Sequence, residues 1–91
     1  MVTKGQKDGT IRFSLRSPGG AQEVLVAGSF SHWKPLAMKR QRDGSFALTV
    51  AVPLGTHEYR FIVDGNWTTD PDNDTYVLNP YGSVNSVAQA A

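Results

Sequence analysis

The sequence contains no cysteine, so neither disulfide bonds nor a thiolate metal site can stabilise the fold. No apolar run approaches membrane-spanning length, and residues 1–10 lack the apolar segment of a secretory signal. An excess of one charge is also missing, because nine basic residues face eight acidic ones and the net charge is +1. Such a balance does not supply the attraction that dominates nucleic-acid binding. These absences predict a soluble cytoplasmic protein with no nucleic-acid or membrane partner.

Helical spacing of apolar residues is absent as well, whereas alternation of apolar and polar residues recurs along the chain. This pattern predicts an all-β protein. The predicted strands are Ile11–Leu15, Glu23–Ser29, Phe46–Val52 and His57–Asp64.

Turn residues separate these strands at Ser17–Gly20, Asp43-Gly44 and Pro53–Gly55. Short strands at such intervals predict an immunoglobulin-like antiparallel β-sandwich, while strand order and the alternative of a closed barrel stay open. A chain of 91 residues is one domain. We place the domain at residues 10–88, between a flexible polar N-terminus at 1–9 and a flexible tail at 89–91.

The strand from His57 to Asp64 separates two kinds of side chain. Tyr59, Phe61 and Val63 share one face with His57, because strand side chains alternate, and they are the better core candidates. Arg60 lies on the opposite face.

The two tryptophans, Trp33 and Trp67, stand at turns after strand-like runs. In the run Asp64–Trp67, the two-residue loop takes one of two registers, which pair Trp67 with Ile62 or with Asp64. Cross-strand partners point to the same face, so either register puts Trp67 on the face of Arg60.

Alternation also assigns faces to the side chains near the C-terminus. Tyr81, Ser83 and Asn85 share one parity, and Val84 takes the other. If Val84 points inward, the other three point outward and are exposed. Val87 breaks the parity, which predicts a bulge or a strand end between the two valines.

These side chains suit a flat, hydroxyl-rich ligand. An indole packs against the CH groups of a pyranose, Arg60 donates hydrogen bonds, and the amide of Asn85 both donates and accepts. None of these groups has to change its protonation state, so the pattern predicts binding without catalysis. The competing structural interpretation makes the tryptophans core residues and pairs Arg60 with Glu58 or Asp64 on a solvated strand.

The sequence patterns for calcium binding and for catalysis are weaker. Asp70, Asp72 and Asp74 alternate as in a calcium loop, but Thr75 and Tyr81 occupy the positions of its glycine and its closing glutamate. We therefore expect no metal and no cofactor. A catalytic triad would need His32 or His57, yet no nucleophile motif accompanies either, and we expect no enzyme.

The runs Val26–Trp33, Gly55–Trp67, Asp70-Pro71 and Asn79–Asn85 resemble carbohydrate-binding module family forty-eight. The likeness is strongest to the glycogen-binding domains of AMP-activated protein kinase beta subunits, and it covers the chain from about Ile11 to Val87. It implies a β-sandwich that binds α-1,4-glucans such as glycogen, starch, maltooligosaccharides or cyclodextrin on its surface.

The resemblance also implies roles for individual residues. Trp33 and Trp67 match the stacking tryptophans, and Arg60 takes the place of the usual lysine. Tyr81 stands where the family has an aliphatic residue, so it is either a third stacking surface or an obstruction. The remaining two positions of the predicted carbohydrate site are Ser83, in place of threonine, and Asn85.

Such modules accompany kinases and glycogen-metabolising enzymes, so the resemblance implies a partner of that kind. Some attached modules have lost the sugar site, but the presence of both tryptophans argues against that loss here. The alternative function is a protein-interaction domain, because exposed Trp, Tyr and Arg also make protein interfaces.

Overall fold

The computed structural model describes residues 1–16 and 20–90. These residues form ten strands and one single-turn 3₁₀ helix, Ser29–Ser31, and they contain no α-helix. The strands are β1 Val2–Lys4, β2 Thr10–Leu15, β3 Val24–Gly28, β4 Leu36–Ala37, β5 Lys39–Arg40, β6 Phe46–Ala51, β7 Gly55–Val63, β8 Asn66–Thr68, β9 Tyr76–Leu78 and β10 Val84–Ala90.

The strands make two antiparallel sheets. The smaller sheet has the order β1-β2-β6-β5, and the larger has the order β4-β3-β7-β10-β9, with β8 also paired to β7. Because the strands divide into two separate sheets packed face to face, the predicted sandwich is confirmed and the closed barrel is excluded. The central strand β7 pairs with β3 on one side and with β10 and β8 on the other. It therefore joins three strands of the larger sheet.

Alternate residues of β2 and β7 fill the space between the sheets, as the sequence predicts. Phe13, Tyr59 and Phe61 are fully buried, and the Phe13 and Tyr59 ring centroids lie 5.0 Å apart in an edge-on arrangement. His57 is 9% exposed on the same face, and its Nε2 lies 2.7 Å from the carbonyl oxygen of Pro53. The predicted inward face of β7 is confirmed.

A buried polar cluster fixes the connection between β8 and β9. The Tyr59 hydroxyl donates to Asp70 Oδ2 over 2.6 Å, and Asn73 Nδ2 donates to Tyr59 Oη over 2.9 Å and to the carbonyl oxygen of Val87 over 2.9 Å. Burial, with the neighbouring Asp70 carboxylate, raises the pKa of Tyr59 well above 10.0 and keeps the phenol protonated. The cluster therefore anchors the loop that leads into β9.

Two expectations need correction, and a third lies mostly outside the described residues. Strand β1, Val2–Lys4, pairs with β2, and β10 extends to Ala90, so both predicted flexible ends contain strand residues. No bulge separates Val84 from Val87, because the pairing of β10 with β7 and β9 is continuous from residue 84 to residue 90. The predicted turn at Ser17–Gly20 lies, except for its last residue, outside the described ranges.

Candidate binding site

The β7–β8 hairpin carries one of the two tryptophans. Val63 pairs with Asn66 and Ile62 with Trp67, so the loop is Asp64-Gly65 and the register is the one that pairs Trp67 with Ile62. Both loop residues have positive φ, 47° and 86°, as a type I′ turn requires. The Asp64 carboxylate also accepts hydrogen bonds from two backbone N–H groups of the segment before β3, which holds the hairpin tip in place. Trp67 is 48% exposed.

The other tryptophan follows the 3₁₀ helix. His32 and Trp33 both adopt left-handed backbone angles, with φ of 54° and 62°, and the Trp33 N–H donates to the Gly28 carbonyl over 2.9 Å. Such angles cost a bulky residue of order 1–3 kcal/mol and persist only where the surroundings impose them. Here Ser31 Oγ lies 3.1 Å from the Gly28 carbonyl oxygen and 2.9 Å from that of Lys34, and its single proton links the two ends of the loop. The loop holds the Trp33 ring 38% exposed.

Both rings open into one cleft of about 790 Å³ on the outer face of the larger sheet. The predicted site residues in its lining are Trp33, Arg60, Trp67, Tyr81 and Asn85. Ser83, the sixth, lies behind Arg60 and contacts it. The parity argument that put Trp67 on the face of Arg60 is confirmed by the pairing of Ile62 with Trp67.

Arg60 lies against Trp67, with Cζ 5.9 Å from the ring centroid, at the distance of a cation–π contact. Its Nη1 donates weakly to Ser83 Oγ over 3.4 Å, and its buried Nε has no partner in the described part of the chain. No salt bridge joins Arg60 to a carboxylate among the residues described, so the alternative pairing with Glu58 or Asp64 is wrong. The guanidinium charge is left for a ligand.

Asn85 lies on the predicted face but is buried, with 6% exposure, which corrects the expectation that it is exposed. Its Nδ2 donates to Glu58 Oε1 over 3.1 Å, and its Oδ1 accepts from Asn79 Nδ2 over 3.3 Å. The amide is thus already bonded within the protein. The parity of Asn85 was right, but parity does not report how neighbouring side chains cover a residue.

Tyr81 and Ser83 belong to the turn between β9 and β10. Asn79 Oδ1 accepts the backbone N–H groups of both, and Asn79 Nδ2 donates to Ser83 Oγ over 2.6 Å. Tyr81 is 93% exposed at the rim of the cleft, so it does not obstruct the space between the tryptophans.

Some residues that line the cleft were not predicted from the sequence. These residues are Ser29, Glu58, Val77, Leu78, Asn79 and Pro80. Glu58 could have been predicted from the sequence, because it stands two residues before Arg60 and must share its face. The short edge strand β9, which supplies Val77 and Leu78, has no alternating pattern that would have revealed it.

The first aspartate of the supposed calcium loop, Asp70, makes bonds within the fold. Asp70 accepts the Tyr59 hydroxyl and the backbone N–H of Asp72, which are structural bonds. Within residues 1–16 and 20–90, no group of three potential metal ligands comes together. In the same ranges, none of the helical turns has the length and apolar character needed to cross a bilayer.

Comparison with known proteins identifies the family. Residues 11–91 match the family described as the glycogen recognition site of AMP-activated protein kinase. The chain is similar to the 5'-AMP-activated protein kinase subunit beta-1 of Sus scrofa, with 39% identity over 82% of this chain and 60% of the relative. The similarity to the Homo sapiens beta-1 subunit is also 39% over 82% of this chain, and it covers 27% of that subunit. The chain thus spans only part of these relatives.

Solved structures with the same fold come from larger proteins. A protein of Salmonella typhimurium assigned as an alpha amylase superposes with a TM-score of 0.72 and 25% identity, over 97% of this chain and 14% of the other. A pullulanase of Paenibacillus barengoltzii superposes with a TM-score of 0.64 and 27% identity, with the same coverage of 97% and 14%. The match over residues 11–91 shows that the chain belongs to the family of carbohydrate-binding modules described as the glycogen recognition site of AMP-activated protein kinase, and the solved structures share its fold.

Proposed function

We propose that this chain binds α-1,4-linked glucan, as in glycogen, starch and maltooligosaccharides, in the cleft between Trp33 and Trp67. The observation that carries the proposal is the exposure of two indole rings in one cleft beside a guanidinium with no carboxylate partner among the described residues. Each ring offers a flat apolar surface for one sugar ring, and burying that surface favours binding by about 25 cal/mol per Å².

The polar contacts supplement this stacking. The Arg60 guanidinium has only donors, and its contact with Trp67 orients it toward a sugar that lies on the indole. Ser83 accepts hydrogen bonds from Arg60 and Asn79, which leaves its own hydroxyl proton to be donated. We assign Tyr81, at the exposed rim, as a third stacking surface for chains longer than the distance between the two tryptophans.

We also propose that the chain is not an enzyme. Glycoside hydrolysis requires a pair of carboxyl groups on either side of the bond that is cleaved. The described lining of the cleft contains one carboxylate, that of Glu58. Binding without bond cleavage suits a module that brings a kinase or a glycogen-metabolising enzyme to its glucan in the cytoplasm, and we propose a partner of that kind.

Calorimetric titration with maltoheptaose tests the proposal. We expect saturable binding, and we expect cellohexaose to bind much more weakly, because its straight β-1,4 chain presents successive rings differently to two fixed indoles. If neither sugar binds, the glucan proposal is wrong. The exposed Leu78 and Tyr76 of edge strand β9, at 77% and 61%, would then favour the protein-interaction function.

A further inference from the structure

The cleft contains a carboxylate as well as a guanidinium. Glu58 lies two residues before Arg60 on β7, so both side chains are on the cleft face of the sheet. The backbone at Glu58 is fixed, because it pairs with Val87 of β10 and its N–H donates to Ser29 Oγ over 3.1 Å. The Glu58 side chain therefore extends into the cleft lining from a backbone that is held on both sides.

One carboxylate oxygen of Glu58 is bonded and the other is open. Oε1 accepts from Asn85 Nδ2 over 3.1 Å, while Oε2 has no partner among the described residues. Oε2 is also not buried, since Arg60 Nε is the single buried side-chain polar atom without a partner in the described ranges. No salt bridge to Arg60 occupies it there. A half-buried anionic acceptor thus faces the space where a sugar would lie.

A chain of hydrogen bonds holds this carboxylate. Asn79 Nδ2 donates to Asn85 Oδ1 over 3.3 Å, and Asn85 Nδ2 donates in turn to Glu58 Oε1. Asn85 is nine-tenths buried, and each end of its amide makes one hydrogen bond within the protein. Its geometry suits a positioning residue for Glu58.

We infer that the Glu58 carboxylate accepts hydrogen bonds from glucose hydroxyls and that Asn85 orients it; this rests on the glucan-binding function proposed above. Sugar hydroxyls both donate and accept, and Arg60 offers donors alone. A fixed carboxylate satisfies the donating hydroxyls, and it is left unpaired by a sugar that lacks them. Sites built in this way reject analogues that lack the hydrogen-bonding group.

Glu58→Gln tests the inference with little change in size, because it replaces the free acceptor oxygen with a donor group. Since hydrogen bonds to charged groups contribute about 1.5–3 kcal/mol, we expect maltoheptaose to bind about tenfold or more weakly to this variant. The matched control is Glu23→Gln, which removes the same charge from an exposed residue outside the cleft. We expect its affinity to equal that of the unmodified protein.

A double-mutant cycle tests the role of Asn85. Asn85→Ala should weaken binding much more when Glu58 is present than in a Glu58→Ala background, a non-additivity that general loss of structure would not produce. Singly deoxygenated maltotrioses, titrated into the unmodified protein, give a readout that requires no variant to fold. One of them should lose affinity, and that loss should shrink in Glu58→Gln.

The outcomes distinguish this inference from the proposed function. If the unmodified protein binds no glucan, the proposed glucan-binding function is wrong, and the role inferred for Glu58 is wrong with it. If the protein binds maltoheptaose, Glu58→Gln binds within twofold of it, and no deoxygenated sugar is discriminated, the inference is overturned while the function stands.

Discussion

At the scale of single residues, the site depends on side chains that the fold leaves half outside the core. Trp67 keeps 48% of its surface exposed, whereas Phe61, on the same hairpin, is fully buried between the sheets. We therefore expect binding and stability to depend on different aromatic residues. Substitution of Trp67 and substitution of Phe61 should separate the two properties.

Trp67→Ala should abolish measurable maltoheptaose binding and lower the free energy of unfolding by less than about 1 kcal/mol, because the ring lies outside the interior. Calorimetry gives the affinity and urea denaturation gives the stability. Phe61→Ala is the contrasting variant, and it should cost about 3–5 kcal/mol through the cavity it leaves. Unfolding of the domain by Trp67→Ala would make Trp67 a core residue and refute its role as a platform.

The sequence predicted single residues well where one rule decides the outcome. Alternation alone identifies Tyr59 and Phe61 as core residues, because a two-residue period fixes the face of each side chain. It failed for Asn85, whose burial results from hydrogen bonds to Glu58 and Asn79 on two other strands or turns. Contacts of that kind depend on tertiary packing and have no local pattern.

At the scale of elements, the β7–β8 hairpin is the part that determines the site. Its Asp64-Gly65 turn has two positive φ angles, and it sets the register that brings Trp67 beside Arg60. A second hairpin offers a comparison. Gly44, between β5 and β6 in the other sheet, has φ of 87°, close to the 86° of Gly65, and a Cβ at either glycine would meet no atom within 4 Å.

Gly65→Ala and Gly44→Ala should therefore lose similar stability, about 1 kcal/mol each, since only backbone strain is added. Their effects on binding should differ. Gly65→Ala strains the turn that positions Trp67 and should weaken maltoheptaose binding severalfold, whereas Gly44→Ala should leave it unchanged. Equal affinities in the two variants, measured by calorimetry beside urea denaturation, would show that the turn does not control the site.

Element prediction succeeded for the long strands and for the hairpin, where turn residues and alternation agree. It failed for β1 and β9, because three residues at a sheet edge carry no recognisable period. It also did not foresee the left-handed backbone at Trp33. That angle is imposed by the bonds of Ser31 and by close packing at Gly28, where a Cβ would lie 2.5 Å from the Glu58 carbonyl oxygen.

At the scale of the whole molecule, the core and the site occupy opposite faces of the larger sheet. One face of β7 packs inward against the smaller sheet, and the other presents Glu58 and Arg60 to the cleft. The chain covers 60% of the pig beta-1 subunit and 27% of the human one, and its relatives by fold include an amylase-type protein and a pullulanase. The proposed glucan site lies on this outer face and is lined by residues of this chain, which would suit attachment to proteins of different activity.

We propose that two indole rings in one cleft take up the same glucan chain. The sequence contains only two tryptophans, so the amide spectrum of the labelled protein has two indole N–H signals to follow during a maltoheptaose titration. We predict that both signals shift and that both saturate with one dissociation constant, equal to the value from calorimetry. Saturation of only one signal, or of neither, would contradict the account.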